Sequence, residues 1–214
     1  VWSLGLCPTP AVARLVSEQQ AAGGLMVSAS HNPPEDNGIK LFGPSGAKLS
    51  RQQQDAIEAG LRGEVRPALT SCGPTRRRQD LLSSYSDLLE QSLGGRRLDG
   101  RRVVLDLCWG SATSCGAELF RRLGAEVIVL HGEPDGSAIN VACGSTHLEP
   151  LRQAVLSSGA EMGFAFDGDA DRVLAVDGRG RLVDGDHILY LWGAELAAAG
   201  QLPQVRSARL SEAP

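Results

Sequence analysis

The sequence predicts an α/β protein of two tandem domains, each with a mixed, mostly parallel sheet flanked by helices. Short apolar runs alternate with segments of helical periodicity. This order is typical of a parallel-rich sheet covered on both faces. The alternation restarts after residues 94–100, a segment of glycines and arginines without apolar periodicity. We therefore predict a first domain at 1–93, a linker at 94–100, a second domain at 101–202 and a tail at 203–214.

The first domain is predicted to contain three helices and two strands. Thr9 is expected to cap the first helix, with Pro10 at its first position and Gly23-Gly24 at its end. Ser50 is expected to cap the second helix. The predicted helices cover 11–22, 50–61 and 81–93, and the predicted strands cover 25–27, which we expect to be buried, and 39–42. Residues 63–80 are predicted to form a loop.

The second domain is predicted to alternate strands and helices and to end in a helix. The turn Asp177-Gly178-Arg179-Gly180 is expected to join its last two strands, and Asp184 to cap the final helix. The predicted strands cover 103–107, 127–130, 162–166, 173–176 and 182–183. The predicted helices cover 113–123, 148–157 and 188–199.

Composition excludes several classes of function. The net charge of −4 and the pI of about 5.6 argue against a nucleic-acid partner, which requires a basic face. No apolar run approaches the ~20 residues that would span a bilayer, which argues against a membrane protein. Because the chain begins at Val1 and ends at Pro214, we expect it to be incomplete at both ends.

The cysteines predict free thiols. They are odd in number and lack a paired spacing, which argues against a disulfide framework or a zinc knuckle. A reducing, cytoplasmic location fits this composition. The five cysteines are Cys7, Cys72, Cys108, Cys115 and Cys143.

An acidic loop follows the predicted strand 162–166. Asp167, Asp169 and Asp171 stand at alternate positions with small residues between them. Carboxylate oxygens at this spacing can converge on a hard cation such as Mg²⁺. A calcium EF-hand would need glycine at loop position six and glutamate at position twelve, where this chain has Arg172 and Gly178. The remaining alternative is a solvated acidic turn.

A serine loop, 28–33, follows the predicted strand 25–27. Ser30 can act as a nucleophile or phosphoryl carrier, with His31 and Lys40 as proton handlers or charge stabilisers. The chain has neither a G-x-S-x-G motif nor a Walker P-loop. An ordinary turn is the alternative for this segment alone. Together with the acidic loop it predicts phosphoryl transfer, since a serine phosphate supplies an oxygen ligand to the cation.

At these residues the chain resembles the α-D-phosphohexomutase superfamily. Its serine loop matches 28–33, followed by Asn37-Gly38-Ile39-Lys40, and its metal loop matches 167–172. The finer resemblance is to the bacterial subgroup that interconverts glucosamine 6-phosphate and glucosamine 1-phosphate for the synthesis of UDP-N-acetylglucosamine. It lies at Pro134-Asp135-Gly136, Asn140, 143–147 and 183–186.

This resemblance implies roles for individual residues. Ser30 would be the phosphoserine, with His31 and Lys40 assisting catalysis. One Mg²⁺ per chain would bind Asp167, Asp169, Asp171 and an oxygen of the Ser30 phosphate, while Asn32 and Arg172 would bind phosphate. The substrate would be a phosphosugar, with a sugar 1,6-bisphosphate as activator and intermediate. The resemblance also implies two domains of the phosphohexomutase type.

The chain also departs from the superfamily. The Gly-Ile-Arg-Gly segment, the sugar-reading loop of a third domain and the phosphate clamp of a fourth are missing. The polar tail 206–212 stands where relatives resume an apolar strand, so we expect it to be aberrant. The alternatives are a phosphomannomutase or phosphoglucomutase, a non-catalytic metal- and phosphate-binding remnant, and an aspartate-dependent phosphatase.

Overall fold

A computed structural model describes residues 1–65, 71 and 73–201. Cys72 and the tail 203–214 lie outside these residues, as do the predictions made for them. The described residues of the first half form four strands and three helices: β1 (Trp2–Ser3), α1 (Thr9–Glu18), β2 (Gly24–Val27), β3 (Ile39–Phe42), α2 (Arg51–Leu61), β4 (Arg76–Arg77) and α3 (Leu81–Ser92).

The strands of the first half pair in two small sheets. β1 and β4 pair in parallel, and β2 and β3 pair antiparallel with Val27 opposite Ile39. The β2–β3 pair is a hairpin because residues 28–38 contain no crossover helix, which a parallel pair would need. β1 and β4 were not predicted, since two-residue strands carry no readable periodicity.

The first strand of this hairpin is less buried than predicted. Leu25 and Val27 are 57% and 62% exposed, whereas Met26 packs against the core of Val12, Val16 and neighbours. α1 packs against β2, and the residues of β2 that alternate with Met26 face solvent. The expectation of a fully buried strand is therefore wrong, although the strand itself is confirmed.

The first helix also begins and ends earlier than predicted. It starts at Thr9 with Pro8 as the N-cap residue, and no side chain caps it. It ends at Glu18, and Gln20 already has a positive φ of 50°, so Gly23-Gly24 lie beyond the end. Thr9 is therefore not a cap, and its hydroxyl is free for another contact.

Two predicted caps are confirmed. The Ser50 side chain accepts from the backbone N–H of Gln53, whose own side chain accepts from Ser50 N, which forms a capping box at α2. Asp184 accepts from His187 N at the start of the last helix. Each contact satisfies a backbone N–H that the helix itself leaves unpaired.

The second half forms one five-stranded mixed sheet. Its elements are β5 (Arg102–Asp106), a 3₁₀ turn (Ser111–Ser114), α4 (Gly116–Arg122), β6 (Glu126–Leu130), a 3₁₀ turn (Gly144–Thr146), α5 (Glu149–Ser158), β7 (Met162–Phe166), β8 (Val173–Asp177), β9 (Leu182–Val183) and α6 (Gly185–Ala198). The strand order is β6-β5-β7-β8-β9. β5 pairs in parallel with β6 and β7, and the other two pairings are antiparallel.

Helices cover both faces of this sheet. Val104 packs with Leu151 and Val155 of α5 on one face. Leu105 belongs to a second buried cluster with Phe120 of α4 on the other. The alternation of neighbours along β5 follows from the two-residue period of a strand. The predicted α/β class is confirmed.

The helix predicted over 113–123 is interrupted. The hydroxyls of Thr113 and Ser114 donate to the carbonyls of Gly110 and Ser111, which favours a tight 3₁₀ turn. Cys115 then has a φ of −149°, outside the helical region, before α4 begins. The prediction of one continuous helix is wrong for this reason. The 3₁₀ turn at Gly144–Thr146 was not predicted.

The four described cysteines carry free thiols, as predicted. Cys7, Cys108 and Cys143 are buried, and Cys115 is half-buried. Within the described part of the chain, no helix has both the length and the apolar character that a membrane crossing requires.

Candidate active site

The acidic loop lies between β7 and β8, at the carboxyl end of a buried parallel strand. Asp167 and Asp169 are 0% and 1% exposed, and Asp171 is exposed. One carboxylate oxygen from each lies within 4.8 Å of the other two. Ligand sites of α/β sheets form at this end of the strands, where loops converge. The structure thus brings the three predicted aspartates together.

The donor set fits a hard divalent cation. All three groups offer carboxylate oxygens, which Mg²⁺ and Ca²⁺ prefer. Asp169 Oδ1 is buried without a hydrogen-bond partner. A buried carboxylate oxygen without a partner is costly, and a bound cation would satisfy it.

Lys40 lies against this cluster. It projects from β3, and its Nζ lies 2.5 Å from Asp169 Oδ2 and 2.9 Å from Asp171 Oδ2. Partial burial alone would lower the pKa of Lys40, but the hydrogen bonds and charges of these two aspartates outweigh burial and raise it. Lys40 is therefore an ammonium that offsets part of the negative charge.

The two buried aspartates differ in their affinity for protons. Burial raises the pKa of Asp167, and the neighbouring charge of Asp169 adds to the increase. Burial also acts on Asp169, but hydrogen bonds from Lys40 and Thr9 outweigh it and lower the pKa of Asp169. Asp169 is thus the carboxylate that the protein itself stabilises in its charged form.

The serine loop faces the acidic loop. Ser30 Oγ donates to Asp167 Oδ2 over 2.7 Å, and Ser30 N donates to Ser28 Oγ over 2.9 Å. Ser30 is half-buried and has a positive φ of 58°, which turns the chain sharply after the hairpin strand. Non-glycine residues rarely adopt this conformation, and it occurs most often where the surroundings enforce it.

The other predicted site residues lie at the edge of this cluster. His31 and Arg172 line an open cleft of about 440 Å³, together with Ser145, Thr146, Val173 and Leu174. The Asn32 side chain instead donates to Asp36 Oδ2 over 3.0 Å. His31 and Arg172 are thus brought together, whereas the amide of Asn32 is engaged within its own loop.

Thr9 contacts Asp169, which the sequence pattern does not predict. Its hydroxyl donates to Asp169 Oδ2, and its backbone N donates to Asp169 O over 2.9 Å. Position 9 lies at the positive end of α1, which favours a carboxylate there. A threonine before proline indicates a helix start, but no sequence signal connects it with a residue 160 positions away.

Glycines allow the loops to approach each other. A Cβ on Gly168 would lie 2.6 Å from Ser30 O and 2.8 Å from Ile139 Cδ1. A Cβ on Gly110 would lie 2.4 Å from Gly168 O. The sequence shows a glycine between two aspartates, but the need for glycine arises from the packing.

This arrangement suits transfer of an anionic group to or from an oxygen nucleophile. The Ser30 hydroxyl points at a carboxylate that can accept its hydrogen bond. A cation held by the aspartates, with Lys40 and Arg172, would offset the charge of a phosphoryl group. The cleft lined by His31 and Arg172 is open to solvent.

Two family models match the chain. Residues 1–66 match "Phosphoglucomutase/phosphomannomutase, alpha/beta/alpha domain I", and residues 83–180 match domain II of the same family. The chain is 84% identical over 206 residues to a phosphoglucosamine mutase of Synechococcus sp. strain RCC307 and 67% identical over 211 residues to one of Prochlorococcus marinus strain MIT 9303. Each match covers 96% of this chain and 45% of the relative.

Solved structures agree with these matches. A putative phosphomannomutase from Thermus thermophilus aligns with a TM-score of 0.77 at 26% identity, over 92% of this chain and 46% of that one. An Aspergillus fumigatus N-acetylphosphoglucosamine mutase, solved with GlcNAc-6P and magnesium, aligns with a TM-score of 0.54 at 21% identity, over 90% of this chain and 53% of that one. The second likeness shows the fold alone.

Proposed function

Because the chain belongs to the phosphoglucomutase/phosphomannomutase family, we propose that it is part of a phosphosugar mutase in which Ser30 carries the phosphoryl group. One observation carries this proposal. The Ser30 hydroxyl lies 2.7 Å from an oxygen of Asp167, within a cluster of three carboxylates. A nucleophile beside a cation site supports phosphoryl transfer through positioning and charge stabilisation.

We propose that Asp167, Asp169 and Asp171 hold one Mg²⁺ together with an oxygen of the Ser30 phosphate. The unpartnered oxygen of Asp169 and the all-oxygen donor set support this assignment. When bound, the ion would offset charge on the transferring phosphoryl group. Lys40 contributes a second positive charge next to the same carboxylates.

The proposed step moves one phosphoryl group from a sugar 1,6-bisphosphate to Ser30. The bond between phosphorus and the sugar oxygen breaks, and a bond between phosphorus and Ser30 Oγ forms. The hydroxyl proton of Ser30 passes to the sugar oxygen, with His31 or Lys40 assisting, and a sugar monophosphate leaves. In the full cycle, the Ser30 phosphoryl group first passes to the free hydroxyl of a sugar monophosphate, which forms the 1,6-bisphosphate. The bisphosphate reorients, its other phosphoryl group returns to Ser30 by the step above, and the isomeric monophosphate leaves. Arg172 and Asn32 are the proposed phosphate-binding residues.

The sugar that we propose is glucosamine, interconverted between its 6-phosphate and 1-phosphate for the synthesis of UDP-N-acetylglucosamine. The 84% and 67% identities to phosphoglucosamine mutases support this choice. Phosphomannomutase or phosphoglucomutase activity is the alternative, supported by the family description. Turnover of the three sugar phosphates by the full-length protein distinguishes them.

The chain spans about 45% of the length of the curated relatives that it matches. We therefore propose that it forms two domains, 1–93 and 101–202, of a longer enzyme and does not turn over sugar phosphate as a mutase by itself. Remote contacts with a substrate secure its orientation at the reacting centre, so a chain without them loses rate. Its net charge of −4 and free thiols support a cytoplasmic enzyme without a nucleic-acid or membrane partner.

The test is to locate covalent phosphate after incubation of the chain with glucose 1,6-bisphosphate and MgCl₂. Peptide mapping by mass spectrometry is expected to find acid-stable phosphate on Ser30 and none in a Ser30→Ala variant of unchanged fold. Phosphate on Asp167 or Asp169 would instead support an aspartate-dependent phosphatase. A chain that binds metal but never becomes labelled would be a non-catalytic remnant. Either result overturns the proposal.

A further inference from the structure

Asn140 lies between the two loops of the site. It is 9% exposed, and its side-chain Nδ2 donates to the carbonyls of Ser30 and Asn32, over 2.8 and 3.0 Å. These acceptors are 110 and 108 positions away in sequence. The two hydrogens of one amide thus bind both ends of the turn that presents the Ser30 hydroxyl.

A hydrogen bond to the oxygen of the Asn140 amide fixes the orientation of this side chain. Asn140 Oδ1 accepts from the Cys108 thiol over 3.2 Å. Cys108 is fully buried, and burial raises the pKa of its thiol, so it remains a donor. If the amide were flipped, its oxygen would face two carbonyl oxygens and its nitrogen would face the thiol. The hydrogen-bond pattern therefore allows one orientation.

A buried carboxylate anchors this network to the sheet. Asp106, at the end of β5, is 0% exposed and accepts from Cys108 N over 3.0 Å and from Gly144 N over 2.9 Å. His131 Nδ1 lies 2.8 Å from the same carboxylate. β5, an interior strand of the five-stranded sheet, is thus connected through Cys108 and Asn140 to the serine loop. Such a fully satisfied buried network rigidifies its surroundings.

The packing of Gly168 against Ser30 and Asn140 leaves no space for an added methyl group. A Cβ on Gly168 would approach Asn140 Nδ2 to 3.0 Å as well as Ser30 O to 2.6 Å. Asn140 and Ser30 both have positive φ angles, 61° and 58°. Asparagine adopts this conformation more readily than most residues. The serine loop, the acidic loop and Asn140 therefore form one interlocked unit.

We propose that Asn140 is a positioning residue for the phosphoryl carrier, holding the backbone of the serine loop so that the Ser30 hydroxyl meets the acidic loop. This inference rests on the proposed function of Ser30. Asn140 touches neither the hydroxyl nor a carboxylate of the cluster, so it acts through the backbone. Its loss is expected to release the loop without removing any chemical group of the site.

The experiment compares the wild type with Asn140→Ala, Cys108→Ala, Cys108→Ser and the double variant Asn140→Ala/Cys108→Ala. Ser158→Ala is the control, because it removes a half-buried hydrogen bond at the end of α5, remote from the site. Three quantities are measured: the rate of Ser30 labelling by glucose 1,6-bisphosphate with MgCl₂, hydrogen exchange of the peptide covering 28–33, and Tm.

Asn140→Ala is expected to slow labelling at least tenfold and to speed exchange in 28–33 by a similar factor. Cys108→Ala is expected to have a smaller effect, Cys108→Ser close to none, and the double variant no more than Asn140→Ala. A merely structural role would lower Tm alone, as in Ser158→Ala. Labelling within twofold of the wild type in Asn140→Ala, or unchanged exchange in 28–33, overturns the proposal.

The experiment distinguishes the proposed role of Ser30 from that of Asn140. If the wild type is never labelled, the proposed role of Ser30 is wrong, whereas hydrogen exchange still shows whether Asn140 holds the loop. If the wild type is labelled and Asn140→Ala is labelled equally fast, the role of Ser30 stands and that of Asn140 is wrong.

Discussion

The Ser30 hydroxyl donates a hydrogen bond to Asp167 across 2.7 Å, although 137 positions separate the two residues. Ser30 follows a hairpin strand of the first half, and Asp167 follows a central strand of the second. The contact makes the chemistry of each loop depend on the other, because the nucleophile and the candidate metal ligand share one hydrogen bond.

Replacing Gly168 by alanine is expected to push the two loops apart. The new methyl group would lie 2.6 Å from the backbone oxygen of Ser30, which cannot rotate away. We expect a loss of about 1–3 kcal/mol in the free energy of unfolding, as for other overpacked sites, and slower labelling of Ser30. Chemical denaturation and the labelling assay measure the two effects.

Gly136→Ala is the matched control for this variant. Position 136 has no atom within 4 Å of an added Cβ and no positive φ. It should therefore behave like the wild type in both assays. Equal behaviour of the two alanine variants would show that the close approach at Gly168 does not matter.

Asp169→Asn is expected to weaken Mg²⁺ binding at least tenfold, or about 1.4 kcal/mol. The change removes a negative charge and places an amide nitrogen among donors from Thr9 and Lys40. Isothermal titration calorimetry measures the affinity. Asp55→Asn, on the exposed face of α2, makes the same chemical change outside the cluster and should leave the affinity unchanged. Equal affinities in the two variants would exclude Asp169 as a ligand.

In Lys40→Gln, thermal stability is expected to depend on Mg²⁺ more strongly than in the wild type. Without a divalent ion, Asp169 loses its cationic partner inside the protein, which we expect to cost about 1–3 kcal/mol. Added MgCl₂ should then raise Tm more in this variant than in the wild type, since the ion no longer competes with the ammonium. Calorimetry with and without MgCl₂ tests this.

The chain offers one other lysine as the control, the exposed Lys48. Lys48→Gln is expected to respond to MgCl₂ as the wild type does. A response of Lys40→Gln no larger than that of Lys48→Gln would mean that Lys40 and the cation do not share a site.

Stability is expected to fall at alkaline pH. Burial raises the pKa of Cys7 to about 11, from an ordinary value of 9.0. The folded state thus holds this proton more tightly than the unfolded state. The resulting stability is complete below pH 9 and is lost as pH rises from 9 towards 11. At 1.36 kcal/mol per unit, the loss from Cys7 is about 1–3 kcal/mol.

Denaturation at pH 8 and at pH 10.5 measures this slope. Cys7→Ala should show a shallower slope than the wild type. Some slope should remain, because burial also raises the pKa of Tyr85 to about 12. Identical slopes in the two proteins would exclude a contribution from Cys7.

Local patterns were sufficient to predict the fold class and most elements. Five strands of the second half, both side-chain caps and the free thiols at four positions were predicted. Misses occurred where local signals were weak or misleading. Thr9 before a proline has the pattern of a cap but lies one position inside α1, and Ser114 and Cys115 end a 3₁₀ turn within a segment of helical periodicity.

The sequence by itself determined the two chemical motifs, since the spacing of Asp167, Asp169 and Asp171 and the placement of Ser30 after a strand are properties of short segments. Only the tertiary structure decided that these motifs face each other. It also decided that Lys40 pairs with two of the aspartates and that Asn140 binds the serine loop. The physical reason is that these contacts join residues far apart in sequence. They depend on how the two halves pack, which no pattern within either half encodes.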